Sequence, residues 1–191
     1  MKELAILFLA IFSHFIGFSQ VIKEFSLPDV VDGSTFSLSE AKGEKAIVLI
    51  FYSSKCAYGD YYLDRIFSLK NEFSSKGVKF ILINSNSSDF VAEESIEEMK
   101  KFAVKHSLNI PYLADKEKQV KNMLKATRTP EVFVLKPTQE KFNVFYKGAI
   151  DDNPQSASDV SHAYLKEAIL ILLNNKAPKL NQTRPVGCLI K

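Results

Sequence analysis

Long apolar runs alternate along this chain with segments in which hydrophobic positions recur at helical spacing. Ala46 to Tyr52 (AIVLIFY) is an uninterrupted apolar, β-branched and aromatic run, which predicts a central strand buried on both faces. Tyr62, Leu63, Ile66, Phe67, Leu69 and Phe73 then fall near helical spacing, and Gly77 stops that helix. Val78 to Ile83 reads as a second buried strand, and Asn84 to Asp89 as a polar loop. Ser95 with Glu98 makes a capping-box pattern for a helix striped by Ile96, Met99, Phe102 and Ala103.

The second half continues the alternation. Pro111 to Leu113 is a short strand candidate, and Asp115 can cap a helix whose core face is Val120, Met123 and Leu124. Thr129-Pro130 leads into a strand over Glu131 to Leu135, followed by a Lys136-Pro137 turn and a neighbouring strand over Asn143 to Tyr146. Val160 to Leu173 is the last and most apolar helix, and the tail beyond it, with two prolines and a glycine, should be extended. Ahead of all this, Phe25 to Pro28 and Thr35 to Leu38 flank the turn signal Asp32-Gly33 and predict a hairpin. The sum is an α/β layer fold: a central mixed sheet with helices on both faces, one antiparallel edge, an N-terminal β-hairpin extension and an extended C-terminal tail.

The first residues stand apart. Lys2 precedes an apolar run from Leu4 to Phe12, resumed at Phe15 and Ile16, with small residues Gly17 and Ser19 before Gln20. This is the layout of a cleavable signal peptide over residues 1–19, cut after Ser19, and the run is short for a membrane span. The expected division is then a signal at 1–19, a domain over 24–175 and a tail over 176–191, in an exported protein of the periplasm or cell exterior, with the membrane touched only through the export signal. A length of 191 residues suits a single domain. The net charge of +3 comes from basic residues scattered among acidic ones, not gathered as a nucleic-acid groove requires, so nucleic acid is not an expected partner.

Chemistry is confined to few groups. Two cysteines, Cys56 and Cys188, lie far apart and outside any C-x-x-C, and with only three histidines the spacing of a structural zinc site is missing. Cys56 follows Ser53-Ser54-Lys55 where a strand hands over to a helix. The free backbone N–H groups and the positive end of the helix dipole favour a thiolate there, and Lys55 adds a positive charge. A buried inert thiol is the alternative, but the flanking residues are small or polar, unlike a core stretch. The peptide bond before Pro130 is open between the sparingly used cis form and the commoner trans form. Arg184, Asp151 and Asp152 are open between site residues and solvated charges, the latter being the general rule for such residues.

Taken together, these residues resemble a thioredoxin-like redoxin, and more narrowly the peroxiredoxin-like group of the alkyl hydroperoxide reductase/thiol-specific antioxidant (AhpC/TSA) family. The resemblance covers about residues 24–190. It is carried by Ser54-Lys55-Cys56-Ala57-Tyr58, Tyr62-Leu63-Asp64-Arg65, Asn84-Ser85-Asn86, Thr127-Arg128-Thr129-Pro130, Gly148-Ala149-Ile150-Asp151-Asp152-Asn153 and Thr183-Arg184-Pro185-Val186-Gly187-Cys188. Two departures stand out. Gly59 occupies the place of the second cysteine of a thioredoxin pair, and the Pro-x-x-x-Thr-x-x-Cys pattern of peroxiredoxins is missing. The resemblance therefore implies thiol–disulfide exchange centred on Cys56, with Pro130 and Thr129 in a loop beside it and Cys188 as a remote resolving thiol. No cofactor is implied; partners are a thiol- or disulfide-containing protein or small molecule and an external reductant. A weak one-cysteine thiol peroxidase, or a non-catalytic binding module on the same scaffold, are the competing expectations.

Overall fold

The computed structural model describes residues 20–87, 94–139 and 141–191; the expected signal segment, 1–19, lies outside the described residues. Strand β4, Ala46–Phe51, is the axis of the molecule. It follows β1 (Val21–Ile22), β2 (Ser26–Pro28) and β3 (Thr35–Ser37), and β2 and β3 form the expected hairpin. After β4 come α1 (Ala57–Phe73), β5 (Val78–Asn84), α2 (Ile96–Lys105), β6 (Tyr112–Ala114) and α3 (Gln119–Leu124). The chain closes with β7 (Arg128–Thr129), β8 (Glu131–Pro137), β9 (Phe142–Gly148), α4 (Tyr164–Leu173) and β10 (Cys188–Leu189).

Six of these strands make one mixed sheet in the order β1-β9-β8-β4-β5-β6. β4, β5 and β6 run parallel, while β8 is antiparallel to both β4 and β9. The uninterrupted apolar run of β4 has the cause expected of it, because both faces of the sheet are covered. Val48 and Ile50 point to a core shared with α1, α2 and α4, through Tyr62, Leu63, Ile66, Met99, Leu165 and Ile169. Ile47, Leu49 and Phe51 point the other way, to a core shared with the hairpin and α3 through Phe25, Leu27, Phe36, Val120 and Leu124.

Several boundaries differ from the sequence pattern. The sheet begins at Val21, ahead of the expected domain start, because Val21 and Ile22 pair with Asn143 and Phe142 at the edge of β9. Pro137 still belongs to β8, and the turn lies beyond it, where the Thr138 N–H donates to the Lys141 carbonyl. The last helix starts at Tyr164, not Val160: the Asp152 carboxylate accepts the Ser161 N–H, and the Asp152 N–H donates to the His162 carbonyl, holding that stretch in a loop. Ser95 does cap α2, its hydroxyl accepting the Glu98 N–H, and Asp115 accepts the N–H groups of Val120 and Lys121 in α3. Among the described residues no helix is long and apolar enough to cross a membrane.

Candidate active site

Cys56 is the residue at the mouth of α1. Its backbone is extended (φ −99°, ψ 120°), and the seventeen-residue helix begins immediately after it. β4 fixes the approach: the Tyr52 N–H donates to the Ile83 carbonyl, continuing the parallel register one residue past the strand, and the Cys56 N–H then turns back onto the Ser53 carbonyl. The side chain is buried, at 2% exposure. Its sulfur is bonded to that of Cys188, with the two Cα atoms 5.9 Å apart across a sequence separation of 132 residues. The pairing that the sequence left open is thus made in this structure.

The remote partner reaches Cys56 by a stitched path. Beyond α4 the tail first runs beside β9, where the Lys147 N–H donates to the Asn181 carbonyl and the Thr183 N–H returns the bond to the Lys147 carbonyl. The Thr183 hydroxyl accepts the Ala149 N–H at 2.9 Å and shares a bond with the Tyr146 hydroxyl. The tail then crosses to β7, where β10 pairs antiparallel with Cys188 opposite Thr129 and Leu189 opposite Arg128. Arg128 donates to the Gly187 carbonyl at 2.7 Å. A Cβ on Gly187 would come within 2.1 Å of the Thr129 carbonyl oxygen, so only glycine lets the tail pass this close.

Thr129 and Pro130 are the floor on which this crossing rests, and the bond between them is cis. Glu131 shapes the approach to it, its carboxylate accepting the N–H groups of Thr127 and Arg128 and the Thr127 hydroxyl. The Thr129 carbonyl oxygen lies 3.1 Å from the Cys56 sulfur. In the bridged state the sulfur carries no proton, so this is a close contact; once the bridge opens, the carbonyl can accept the thiol proton. That contact favours the thiol, the helix start favours the thiolate, and the two oppose each other. Lys55 contributes through its backbone, whose N–H donates to the Ser53 hydroxyl at 3.1 Å. Its side chain is exposed, and its charge lowers the Glu98 carboxyl in α2 less than the bond from Lys101 does. Gly59 stands one turn into α1, where a Cβ would come within 2.5 Å of the Ser53 carbonyl oxygen. A second thiol would not fit there without movement of that turn, consistent with its partner being remote.

Two polar clusters surround the site. In the first, Asp151, only 6% exposed, accepts the Tyr62 hydroxyl at 2.7 Å and pairs with Arg65 at 2.8 Å. The Arg65 guanidinium also lies over the Tyr62 ring, 4.7 Å from its centre. The general rule that such a charge is solvated fails here: Asp151 is a buried lock between α1 and the loop after β9, while Asp152 and Arg184 are exposed. Burial and the bond to Asp151 push the Tyr62 phenol upward.

The second cluster was not signalled by the sequence pattern. Glu94, at 1% exposure, accepts bonds from the Ser53 hydroxyl and the side-chain amides of Asn84 and Asn86. Asn84 also donates to the Tyr112 hydroxyl at 3.0 Å. The Lys116 ammonium places its donors on Asn84 Oδ1 and the carbonyls of Asn86 and Glu94, at 2.7–3.1 Å. Burial pulls Lys116 down to about 8, against the pull of Glu94 and Asp115. Burial likewise raises the Tyr52 phenol, reinforced by Asp60 and Glu94; its hydroxyl has no hydrogen-bond partner among the described residues. A polar residue inside a segment that reads as loop gives no sign of such burial; the only hint was the Asn84-Ser85-Asn86 signature.

Comparison with known proteins shows the family and the fold. The profile of the AhpC/TSA family matches residues 18–141, more than half of the chain. The thiol-disulfide oxidoreductase ResA of Oceanobacillus iheyensis is 26% identical over 114 residues, which cover 60% of this chain and 55% of ResA, so the chain spans only about half of that relative. An uncharacterized conserved protein from Geobacillus kaustophilus superposes with a TM-score of 0.82 at 29% identity, covering 91% of this chain and 90% of that one. A thiol:disulfide interchange protein of the thioredoxin family from Chlorobium tepidum shares the fold, with a TM-score of 0.60 at 18% identity over 81% of this chain and 97% of that one.

Proposed function

Because the chain belongs to the AhpC/TSA family, with a thioredoxin-like α/β fold, we propose that it is a thiol–disulfide oxidoreductase whose working pair is Cys56 and Cys188. The observation that carries this reading is the bridge itself, set at the start of α1 and against the Thr129-Pro130 loop. In the reduced protein the Cys56 thiolate attacks one sulfur of a partner disulfide, forming a mixed disulfide and releasing the partner's first thiolate. The Cys188 thiolate then attacks the Cys56 sulfur, releases the partner's second thiolate and closes the bridge. Two electrons pass to the partner, and an external reductant supplies two to reopen the bridge. Pro130 and Thr129 shape the surface on which a partner segment approaches, and Lys55 and the helix start favour the thiolate. The partner is a disulfide- or thiol-bearing protein or small molecule.

The same reading places residues 1–19 as an export signal removed after Ser19, residues 24–175 as the redoxin domain and residues 176–191 as the tail that delivers Cys188. A Cys56–Cys188 pair resting in the bridged state suits an oxidising compartment such as the periplasm or cell exterior. The first experiment is alkylation under denaturing, non-reducing conditions followed by mass measurement, before and after dithiothreitol. No label before reduction and two after it support the pair. Turnover of a model protein disulfide by the reduced wild type, abolished in Cys56→Ser and stalled as a mixed disulfide in Cys188→Ser, supports the assigned roles. Unchanged turnover in Cys56→Ser would overturn them, and a stable sulfenic acid at Cys56 on peroxide addition would favour the peroxidase alternative.

A further inference from the structure

The two cysteines are joined by more than their bond. On one side, the Ser53 hydroxyl accepts the Lys55 N–H at the turn that carries Cys56, and donates to Glu94. On the other, Asn86 donates to Glu94 at 3.2 Å and accepts the Lys191 N–H on its side-chain oxygen at 2.8 Å. The neighbouring Ser87 N–H donates to the Lys191 carbonyl at 3.0 Å, so the tail just past Cys188 is moored here twice. Glu94 is therefore the shared node of two short chains: Ser53 to the Cys56 turn, and Asn86 to the Cys188 tail. Ser53, Glu94 and Asn86 are almost wholly buried, so the two bonds that meet at Glu94 are shielded from competing water, while the outer bonds from Lys55 and Lys191 are half-buried. Asn84 and Lys116 fix the node from the core side, Asn84 from the end of β5 and Lys116 from the loop before α3.

We propose that Glu94 is the positioning residue of the redox pair: with Asn86 it holds the Cys56 turn and the Cys188 tail in register, keeping the sulfurs within reach when the bridge is open. A tail held in place presents Cys188 to Cys56 at high effective concentration, and closure is then favoured over release into solvent. This rests on Cys56 and Cys188 being the working pair. The test nevertheless reads only the pair's own closure: normal closure with no turnover of a partner disulfide would overturn the function and leave the mooring intact.

The experiment is the equilibrium of the bridge against a dithiothreitol buffer. Reduced dithiothreitol gives two electrons and two protons to the protein disulfide and becomes its cyclic disulfide, so the buffer ratio reads the closure constant directly. Glu94→Ala is expected to lower that constant at least tenfold. Glu94→Gln, whose amide oxygen can still accept from Ser53 and Asn86, should recover much of the loss. Lys191→Pro removes the N–H that Asn86 accepts together with an exposed side chain, at a position where an extended chain tolerates proline. It should cost about threefold, the scale of one hydrogen bond. Tyr62→Phe, which loses a bond to Asp151 that is not part of the Ser53–Glu94–Asn86 chain, should lower thermal stability and leave the closure constant unchanged. If Glu94→Ala does not fold, Lys191→Pro and Asn86→Ala decide the matter. Closure constants within twofold of wild type in these folded variants would overturn the proposal.

Discussion

Cys56 and Cys188 come to one bond from opposite kinds of structure. Cys56 is set by the core: a fully buried strand leads into it, a seventeen-residue helix leads out, and the residue itself is buried. Cys188 arrives on a tail in which Val186 and Leu189 are exposed, at 45% and 61%, and Ile190 packs half-buried against the core. That tail is held by backbone bonds at Asn181, Thr183, Ile190 and Lys191, by Arg128 on Gly187, and by the bridge. The core arm draws on burial over a wide area, while the tail arm depends on a handful of hydrogen bonds, each worth about 1 kcal/mol. One thiol is thus set in the core and the other hung on a few hydrogen bonds, a division suited to a nucleophile and its resolving partner.

Opening the bridge is the sharpest way to test that contrast, and it should give the largest effect. Cross-linking residues so far apart stabilises mainly by restricting the unfolded chain, and about 2–4 kcal/mol is the usual scale. The reduced protein should therefore unfold at lower denaturant than the oxidised protein, by that amount, but remain folded. Hydrogen exchange should locate the change. The amides of Ile190 and Lys191 should exchange faster on reduction, while that of Tyr52, bonded to Ile83 beside the core, should not. Equal acceleration at Tyr52 would erase the distinction between the two arms.

Gly187→Ala attacks the tail arm alone and should have an intermediate effect. The added Cβ meets the Thr129 carbonyl and the peptide nitrogen of Pro130, both backbone atoms on a buried segment that cannot swing aside. The tail must lift, and the closure constant should fall at least tenfold, with the stability gap between oxidised and reduced protein narrowing in step. The stability of the reduced protein should stay within about 0.5 kcal/mol of wild type, the usual range for a change outside the core. A drop in the reduced form as large as in the oxidised one would mean that the tail is part of the core after all.

The same contrast explains what could be read from the sequence. The core arm was legible because its cause is local: AIVLIFY, short, unbroken and rich in β-branched and aromatic residues, reads as a buried strand, and small polar residues before a helical stripe mark a strand-to-helix junction. Ser95 announced its own cap, and the Asp32-Gly33 turn its hairpin. The tail arm was legible only as motifs. That Cys188 lies opposite Thr129 depends on a path along β9 that no local pattern encodes, so the pairing stayed open. Asp151 and Glu94 were misread or missed for one reason: a carboxylate is normally solvated, and only its distant partners, Arg65 and Tyr62 for one, Ser53, Asn84 and Asn86 for the other, reverse that rule. The late start of α4 has a similar origin, since Asp152 ties Ser161 and His162 into a loop by two hydrogen bonds from a distant point of the chain.

The smallest expected effect concerns the cluster between the arms, and pH reads it. Lys116 titrates near 8 in the folded protein, against 10.5 when free, because burial disfavours its charge. As pH rises through about 8 the folded protein releases this proton before the unfolded chain does. Between there and 10.5 the unfolded state binds more protons, and this group's contribution to stability rises with pH. The penalty of the buried ammonium is fully present below that window. The rise should be visible only up to about pH 10, where buried phenols such as Tyr112, held above their ordinary 10.0, begin to pull the other way. Urea unfolding of wild type against Lys116→Gln at pH 7.5, 8.5 and 9.5 isolates the slope as a difference. Because Asn84, Glu94 and Lys116 are held from the core side, the slope should be the same in oxidised and reduced protein. A slope confined to the oxidised form would mean that the cluster comes apart when the tail is released, making it part of the tail arm.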